Sequence, residues 1–313
     1  MSLCLVTGGA GFIGGHLVAA LVARGDQVRV LDNFYTGRAE NLAAVRDKIE
    51  LIEADVNDVA AVDQALKGVE IVFHQAAIAS VPRSVAAPLE THQACATGTL
   101  TMLDRARAAG VKRFVYAASS SAYGDQPTPL KKESDSPMPL SPYAAAKLAG
   151  EQYCHAFFHT YGLPTVSLRY FNVYGPRQDP SGPYAAVIPI FIESLLSGRT
   201  PVIYGDGKQT RDFTFIEDVV QANLKAASSS AGGVTVNVGS GRRTSLLDLL
   251  DVICRELGVT VKPDMQPART GDVRDSLADI SLARQLIGYE PKFSLEEGLK
   301  ATIEYYRNNP SRK

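Results

Sequence analysis

The sequence lacks the features of a nucleic-acid-binding, membrane-spanning or secreted protein. Its net charge is -1 at pH 7, so no general basic surface is available for a polyanion. No apolar stretch approaches the roughly 18–20 residues that span a bilayer, and no basic leader with a cleavage signature precedes the first apolar run. The four cysteines are scattered, with no CxxC pair. We therefore expect reduced thiols in a cytoplasmic protein, with no nucleic acid and no membrane as partner.

The sequence also contains no internal repeat and no clean linker. Its first half alternates five short β-rich runs with Ala- and Leu-rich segments of helical pattern. The runs are LCLVTG, QVRVLD, IELIEAD, VEIVFHQAA and RFVYAAS. Such alternation is typical of βαβ units. It predicts an α/β fold with a Rossmann-type doubly wound parallel sheet, whose ligands bind at the carboxyl ends of the strands.

The second half has a different texture. A sixth unit begins at Ser141, a predicted N-cap, with Pro142 at the first helical position. Beyond Asn172 the chain becomes rich in proline and glycine, and shorter helices and strands follow. We expect a dinucleotide-binding domain at residues 1–170, which also receives a segment near 208–242. The remainder, 171–313, is expected to form a smaller mixed α/β substrate domain.

The segment TGGAGFIG follows the first predicted strand and opens the first predicted helix. Gly8 allows a tight turn, Gly11 lets the backbone approach a pyrophosphate, and Gly14 lets helix and strand pack closely. The helix start at Phe12 and Ile13 presents unpaired N–H groups to phosphates. A plain tight turn is the competing interpretation, but the surrounding strand and helix favour a dinucleotide site.

Asp32 ends the second predicted strand, where its carboxylate would bind a ribose hydroxyl and repel a 2′-phosphate. This predicts NAD rather than NADP as the cofactor, although Arg38 in the next turn could reach a phosphate. Further cofactor contacts are expected where strands end. These are Asn33, Gly37, Asp55, Val56, Gln75, Ala76, Ala77 and Tyr170. After the third and fourth strands, a plain loop is a serious alternative.

The segment ASSSAYGD, residues 118–125, follows the fifth predicted strand and holds three consecutive serines. Tyr143 and Lys147 come next, four residues apart, so their side chains share one face of a helix. An amphipathic helix with an exposed lysine would show the same spacing. The position of the pair, after the serines of a nucleotide-binding fold, favours a catalytic site.

On these three motifs the chain resembles the extended short-chain dehydrogenases/reductases over essentially its whole length. That resemblance implies a catalytic group of Ser119, Tyr143 and Lys147 and a tightly bound, recycled NAD. Lowering a tyrosine pKa from near 10 to about 7 needs roughly 4 kcal/mol. One positive charge at about 4 Å supplies that much at an effective dielectric near 20. Lys147 and the nicotinamide are the expected charges, and the phenolate then takes a sugar hydroxyl proton as hydride leaves.

Ser120 and Ser121 bear on which reaction follows. Related sugar-nucleotide dehydratases and decarboxylases carry carboxylic acids at these positions. A serine cannot serve as such an acid, so we expect oxidation and return of hydride to the opposite face. That reaction is a 4-epimerisation through a transient 4-keto sugar. The individual roles of the three serines stay open.

Several longer segments, among them SVPRS (80–84) and GDVRDSLADI (271–280), are similar to the UDP-N-acetylglucosamine 4-epimerases of the UDP-glucose 4-epimerase group. The resemblance implies a UDP-hexose substrate and a homodimer built from two helices per subunit. It also implies substrate contacts. These are Ser80, Arg83, Ser120, Ser121, Tyr143, Asn172, Val187, Ile203, Tyr204, Arg211, Arg269, Asp272, Arg274 and Ser276. Guanidinium groups such as those of Arg211 and Arg269 suit a diphosphate, although exposed loop arginines are often merely solvated.

Ser276 corresponds by this resemblance to a pocket wall that is a bulky tyrosine in epimerases restricted to UDP-glucose and UDP-galactose. A serine leaves room for a 2-acetamido group, which predicts UDP-GlcNAc and UDP-GalNAc as substrates beside the UDP-Glc/UDP-Gal pair. The alternatives are a UDP-glucuronate 4-epimerase and a non-catalytic NAD-binding regulator. Glu151, His155 and His159 have helical metal-ligand spacing, but the expected chemistry needs no metal.

Overall fold

A computed structural model of the chain describes residues 2–180, 185–268 and 273–309. Its strands are β1 (Leu3–Thr7), β2 (Gln27–Asp32), β3 (Ile49–Glu53), β4 (Ile71–His74), β5 (Arg113–Ser119), β6 (Leu130–Lys131), β7 (Thr165–Tyr170), β8 (Val173–Tyr174), β9 (Val202–Tyr204), β10 (Thr210–Arg211), β11 (Thr214–Phe215), β12 (Val234–Val238), β13 (Thr244–Ser245), β14 (Asp264–Gln266) and β15 (Leu277–Ala278). Its α-helices are α1 (Phe12–Ala23), α2 (Val59–Ala65), α3 (Val81–Ala86), α4 (Pro88–His92), α5 (Gly98–Ala108), α6 (Pro142–Tyr161), α7 (Val187–Leu196), α8 (Ile216–Ser228), α9 (Leu246–Leu257), α10 (Ser281–Ile287) and α11 (Leu295–Asn308). The five predicted β-rich runs form β1 to β5, which confirms that part of the sequence interpretation.

Seven of the strands form one parallel sheet in the order β12-β7-β5-β4-β1-β2-β3. The strand order reverses at β1, because β2 and β3 follow it on one side and β4 and β5 lie on the other. In a doubly wound sheet a ligand binds at the carboxyl ends of the strands flanking such a reversal. The predicted Rossmann-type fold is therefore confirmed, and β12 brings residues 234–238 back into the sheet from the second half of the chain.

Both faces of the sheet are buried, and neighbouring residues on a strand serve opposite faces. On β1, Cys4 and Val6 belong to the cluster that packs under α1, α8 and α10. Leu5 faces the other side, where α2, α5 and α6 supply a second cluster. Several aliphatic side chains are fully buried on each face, and burying each one stabilises the folded state by about 1.5–3 kcal/mol.

The remainder of the chain builds a smaller third cluster around α7, α9 and α11. Phe191, Phe215 and Leu299 are fully or nearly fully buried in it. Its strands are two or three residues long and pair as β8 with β11, β9 with β14, and β10 with β13. Each short strand pair joins two loops by backbone hydrogen bonds and holds them near the end of the large sheet.

Local signals at α6 agree with the sequence. The Ser141 hydroxyl accepts a hydrogen bond from the Ala144 N–H at 3.2 Å, and Pro142 occupies the first turn. Gly162 ends the helix with a φ of 71°, in the left-handed region that suits glycine. Among the described helices, none is long and apolar enough to cross a membrane.

Candidate active site

The glycine loop between β1 and α1 has the tight packing that its three glycines predict. Gly8 has a φ of 66°, and a Cβ there would lie 2.7 Å from the Ala76 nitrogen at the end of β4. At Gly14 a Cβ would lie 2.0 Å from the Gly8 carbonyl oxygen. Gly11 differs, because within 4 Å its Cβ would meet only that same oxygen, at 3.1 Å. Gly8 and Gly14 are thus required by packing, whereas Gly11 keeps backbone accessible.

The loop opens into a cavity of about 800 Å³ at the carboxyl ends of the sheet strands. Gly11, Phe12, Ile13 and Gly14 line it, and no side chain caps the start of α1. The first N–H groups of that helix therefore face the cavity with the positive end of the helix dipole. These groups suit a pyrophosphate.

Asp32 lies in the wall of this cavity and is 7 % exposed. Its carboxylate accepts hydrogen bonds at 2.8 Å from the N–H groups of Ala10 and Phe34. Burial raises the pKa of Asp32, while these two bonds oppose the rise. Gly37 backs the carboxylate rather than lining the cavity, since a Cβ there would lie 2.8 Å from Asp32 Oδ1.

The neighbouring wall comes from the loop after β3. Asn33 donates to the Asp55 carboxylate at 2.7 Å, which joins the ends of β2 and β3. Asp55 and Val56 line the cavity, as does Asn57, which the sequence did not single out. Asn57 Oδ1 is buried without a hydrogen-bond partner. The helix N–H groups and the Asp32 carboxylate that line this cavity fit a dinucleotide.

The three serines after β5 form a tight turn rather than a soft loop. Ser119 ends the strand, and its hydroxyl accepts the Ser121 N–H at 3.2 Å and bonds the Ser121 hydroxyl at 2.8 Å. Residues Ser120–Tyr123 make one 3-10 turn. Gly124 closes the turn with a φ of 65°, where a Cβ would lie 2.0 Å from the Met138 carbonyl oxygen. The hydroxyls are therefore held at a fixed place at the end of the sheet.

Tyr143 and Lys147 line the same cavity from the first two turns of α6. Burial raises the pKa of Tyr143; the Cys95 thiol adds to the rise and the Ser119 hydroxyl opposes it. Burial lowers the pKa of Lys147, which is 2 % exposed. The sequence predicts a lowered tyrosine pKa, but in the chain by itself desolvation of Tyr143 outweighs the one opposing contact, the hydrogen bond with the Ser119 hydroxyl. A further positive charge is needed before its phenolate forms near neutral pH.

Lys147 contacts an aromatic ring, and a buried imidazole packs against that ring. Its Nζ lies 4.6 Å from the centre of the Tyr116 ring, and the Tyr116 hydroxyl donates to the Lys147 carbonyl oxygen at 3.1 Å. His74 stacks on Tyr116 and bonds the hydroxyls of Thr7 at 2.7 Å and Thr99 at 3.0 Å. Burial, helped by the charge of Lys147, lowers the pKa of His74 to about 3. The imidazole is therefore neutral, and it supports the ring beside Lys147 without adding a second positive charge.

Gln75 and Tyr170 also line the cavity, and a third residue joins them from the second half of the chain. Asn223 on α8 is fully buried. Its amide accepts from Gln75 at 3.0 Å and donates to the Tyr170 hydroxyl at 2.8 Å. Nothing in the local pattern of α8 marks this residue, which becomes visible only once the helix is packed on the sheet. Ala76 and Ala77 line the cavity beside Gln75.

Two predicted substrate residues lie in the same cavity as the predicted cofactor contacts. Ser80 caps α3 by accepting the Arg83 N–H at 3.3 Å, and both residues line the large cavity. The Arg83 guanidinium bonds the Glu90 carboxylate and lies over the Tyr35 ring. Arg83 is therefore already engaged with other groups that line this cavity.

The other described substrate residues gather beyond β7. Asn172, with a φ of 27°, donates from its side chain to the Asp212 carbonyl oxygen at 3.0 Å. Arg211 donates to the Arg274 carbonyl oxygen at 3.2 Å, and the Ser276 N–H donates to the Thr210 carbonyl oxygen at 3.2 Å. Asn172 thus links the end of the sheet to the paired loops that carry Arg211 and Ser276.

Arg274 makes a bidentate pair with Asp206, at 3.0 and 2.9 Å. That contact is the main cause that lowers the pKa of Asp206 to about 2. Val187 begins α7, while Ile203 and Tyr204 lie on β9. The predicted contacts Arg269 and Asp272 fall outside the described residues.

Glu151 and His155 make other contacts, and the His159 ring packs against that of His155, with ring centroids 4.3 Å apart. Glu151 is buried and makes two bonds, at 2.8 and 2.6 Å, with the buried Arg169. His155 Nδ1 lies 3.0 Å from the Gly233 carbonyl oxygen. Over the described ranges, no group of three metal-ligating side chains comes together.

Known proteins resemble this chain in sequence and in fold. The chain matches the model of the NAD dependent epimerase/dehydratase family over residues 4–239. A UDP-glucose 4-epimerase of Mycolicibacterium smegmatis is 42% identical, with 97% of this chain and 98% of that protein covered. Two solved structures are similar over nearly their whole lengths. A UDP-N-acetylglucosamine 4-epimerase of Methanobrevibacter ruminantium, in complex with UDP-N-acetylmuramic acid, has a TM-score of 0.95 at 39% identity and 98% coverage of each chain. A UDP-glucose 4-epimerase of Thermotoga maritima, with UDP-glucose, has a TM-score of 0.94 at 40% identity, with 99% of this chain and 100% of that chain covered.

Proposed function

Because this chain belongs to the NAD-dependent epimerase/dehydratase family, we propose that it inverts C4 of a UDP-hexose through a transient 4-keto sugar. UDP-GlcNAc and UDP-GalNAc are the proposed main pair, with UDP-Glc and UDP-Gal as a second pair. One observation carries the proposal. Tyr143 and Lys147 line the same cavity as the glycine loop and Asp32, and Ser119 stands beside Tyr143.

The chain supplies a proton acceptor and its supports. Tyr143 takes the proton of the sugar C4 hydroxyl, and Ser119 holds the same sugar oxygen by a hydrogen bond. Lys147 stabilises the phenolate, and burial favours this because Coulomb interactions are stronger away from water. When bound, NAD would supply the hydride acceptor and, in its oxidised form, a second positive charge. The raised pKa of Tyr143 in the chain alone makes activation dependent on cofactor binding.

The serine turn supports epimerisation rather than elimination. Ser120 and Ser121 present hydroxyls where related dehydratases and decarboxylases carry acids, and Ser121 is committed to Ser119 at 2.8 Å. No carboxylic acid within the turn Ser120–Tyr123 is available to remove a proton at C5 or protonate C6. The keto sugar then has one productive fate, which is return of the hydride to its other face.

Ser276 supports the N-acetylated pair. Its backbone joins Thr210, next to Arg211, so it lies beside a proposed diphosphate ligand. We expect Ser276→Tyr to reduce kcat/KM for UDP-GlcNAc at least tenfold and to leave UDP-Glc turnover within about threefold. The measurement is a panel of UDP-sugars, including UDP-glucuronate, with products separated by chromatography or NMR. Turnover of only the non-acetylated pair by the wild type would contradict the pocket argument, and turnover of only UDP-glucuronate would identify the other epimerase class.

A non-catalytic regulator with the same fold is the competing function class. Tyr143→Phe separates the two, because it removes the proton acceptor and keeps the ring. We expect turnover to fall by a factor of 10³ or more while NAD remains bound. A variant that keeps wild-type turnover would show that Tyr143 is not the base.

The division of labour along the chain is part of the proposal. We propose that residues 1–170, with a segment near 208–242, bind NAD and that the rest holds the UDP-sugar, including Arg269 and Asp272. The pairing of β12 with β7 and the hydrogen bond from Gln75 to Asn223 support this exchange of segments. The four buried, unpaired cysteines are consistent with a cytoplasmic location.

A homodimer is proposed on the surface of α5 and α6, the two helices per subunit that the resemblance implies. The two helices pack against each other, and Tyr153 is 38% exposed on α6. Light scattering after gel filtration should give twice the chain mass for the wild type and the chain mass for Tyr153→Asp. A monomeric wild type would rule the dimer out.

A further inference from the structure

We propose that Tyr35, Arg83 and Glu90 form a clasp that retains the dinucleotide between turnovers. The clasp rests on the proposed function, because it acts on the cofactor of that reaction. It assigns Arg83, expected from the sequence to contact the sugar nucleotide, a role in holding the cofactor instead.

The side chains of Tyr35, Arg83 and Glu90 are joined by hydrogen bonds and by one cation–π contact. The Tyr35 hydroxyl donates to the Glu90 carboxylate. Arg83 donates to the same carboxylate from Nε at 3.3 Å and from Nη2 at 3.2 Å. The Arg83 guanidinium lies 4.5 Å from the centre of the Tyr35 ring. Each member therefore contacts both of the others.

The set spans the cavity from one side to the other. Tyr35 follows Asp32 at the end of β2, whereas Arg83 and Glu90 stand on α3 and α4 after β4. In the sheet, β2 and β4 flank β1, whose glycine loop lies between them. All three side chains line the dinucleotide cavity. A dinucleotide that reached from Asp32 to Ala76 would therefore lie in the cavity that Tyr35, Arg83 and Glu90 line.

Opening the clasp requires only small movements at an exposed surface. Tyr35 is 47% exposed, and the side chains of Arg83 and Glu90 are 35% and 40% exposed. Contacts of this kind are individually weak in water, so they break and reform readily. Such a device slows release of a bound molecule without sealing the cavity against it.

The reaction gives this retention a purpose. In the proposed epimerisation, the hydride removed from the sugar must return to the same sugar. A cofactor that left in its reduced form would strand a keto sugar and an inactive protein. A slow rate of dinucleotide release is therefore useful here, in contrast to a dehydrogenase that must exchange its cofactor in every cycle.

The chain provides a matched control in Tyr161 and Arg107. The Arg107 guanidinium lies 4.8 Å from the centre of the Tyr161 ring, and Tyr161 is 54% exposed. Arg107 also pairs with a carboxylate, that of Asp104, at 3.0 Å. Neither Tyr161 nor Arg107 lines the dinucleotide cavity. The stack of Arg107 on Tyr161 thus has the same chemistry as the clasp but lies away from the cavity.

The test measures release of NAD directly. Protein loaded with radiolabelled NAD is freed of excess by gel filtration, chased with unlabelled NAD, and sampled for bound label over time. We expect Tyr35→Ala to raise the dissociation rate about tenfold. Tyr35→Phe, which keeps the ring over Arg83 and loses the bond to Glu90, should give a smaller increase. Tyr161→Ala should release NAD at the wild-type rate.

Two results overturn the clasp by itself. One is a Tyr35→Ala protein that binds NAD and releases it at the wild-type rate. The other is equal acceleration by Tyr35→Ala and Tyr161→Ala, which would indicate a general loss of stability. A wild type that binds no NAD at all would overturn the proposed function and the clasp together, so the two failures are distinguishable.

Discussion

Gly14 shows how closely single residues are constrained around the cofactor cavity. A Cβ at this position would lie 2.0 Å from a backbone oxygen, so either the loop or α1 must shift to accept alanine. We expect Gly14→Ala to destabilise the protein by about 1–3 kcal/mol and to weaken NAD binding at least tenfold. Urea unfolding and calorimetric titration with NAD measure the two effects.

Gly15 is the matched control for that substitution. At Gly15 a Cβ would meet Asn41 Cβ at 3.1 Å and the Asn41 carbonyl oxygen at 3.3 Å, so Asn41 has to shift by only a few tenths of an ångström. Gly15→Ala should therefore keep NAD affinity within about threefold. Equal loss of affinity in the two variants would contradict a specific packing role for Gly14.

The buried pair of Glu151 and Arg169 gives a second residue-scale prediction. Both side chains are about 3–4 % exposed, and Arg169 also lies over the Tyr123 ring at 4.6 Å. Removing one partner leaves an uncompensated buried charge, so Glu151→Gln should cost about 3–5 kcal/mol of unfolding free energy. The double variant Glu151→Leu/Arg169→Met should recover most of that loss. A double variant as unstable as the single one would indicate that packing, not charge, is the cause.

At the scale of elements, α6 connects helix stability to chemistry. Its N-cap Ser141 stands two residues before Tyr143, so the cap also fixes the position of the proposed catalytic tyrosine on the helix. Ser141→Ala should cost about 1 kcal/mol of unfolding free energy and lower kcat severalfold, while Ser141→Asp should retain both. Urea unfolding and turnover of the preferred UDP-sugar test this.

Ser294 offers the corresponding control on another helix. It caps α11 through a reciprocal pair of bonds with Glu297. Ser294→Ala should lose a similar amount of stability with kcat unchanged. If kcat falls equally in both variants, the effect of Ser141 on turnover is a consequence of stability alone.

The sequence predicts those elements whose signals are local, and it does not predict contacts between distant parts of the chain. Alternation of apolar runs predicts β1 to β5, and Ser141 with Pro142 predicts the start of α6, because these signals lie within a few residues. Asn223 and the Tyr35–Glu90 bond have no such signal, since their partners lie far away in the chain. Strands of two residues, such as β10 and β13, form only because the surrounding loops are already held together. The roles of Arg269 and Asp272 remain predictions.

At the scale of the whole molecule, two histidines make stability depend on pH. Burial lowers the pKa of His16 to about 4 and that of His74 to about 3, against about 6.5 in an unfolded chain. The unfolded state therefore binds more protons below pH 6.5, and stability falls as the pH falls from 6.5 toward 4. Each histidine contributes up to about 1.4 kcal/mol per pH unit in that window.

His16 is the better residue for testing this. It bonds the Pro176 carbonyl oxygen at 2.9 Å and lies 3.1 Å from the Arg177 guanidinium, which further lowers its pKa. We expect the difference in unfolding free energy between pH 7 and pH 5 to be about 1–2 kcal/mol smaller in His16→Gln than in the wild type. Denaturant titrations at the two pH values measure it. Identical differences in the two proteins would contradict the assignment.

The place of β12 has a consequence for how the protein is made. β7 is buried along its whole length, and its outer edge pairs with β12, which is synthesised only after residues 171–233. On the ribosome, β7 therefore waits with an open apolar edge while the whole of that intervening segment emerges. A fragment that stops before Val234 keeps this edge permanently and should aggregate. The seven-stranded sheet is thus complete only late in translation, and cutting at residue 170 leaves it without β12.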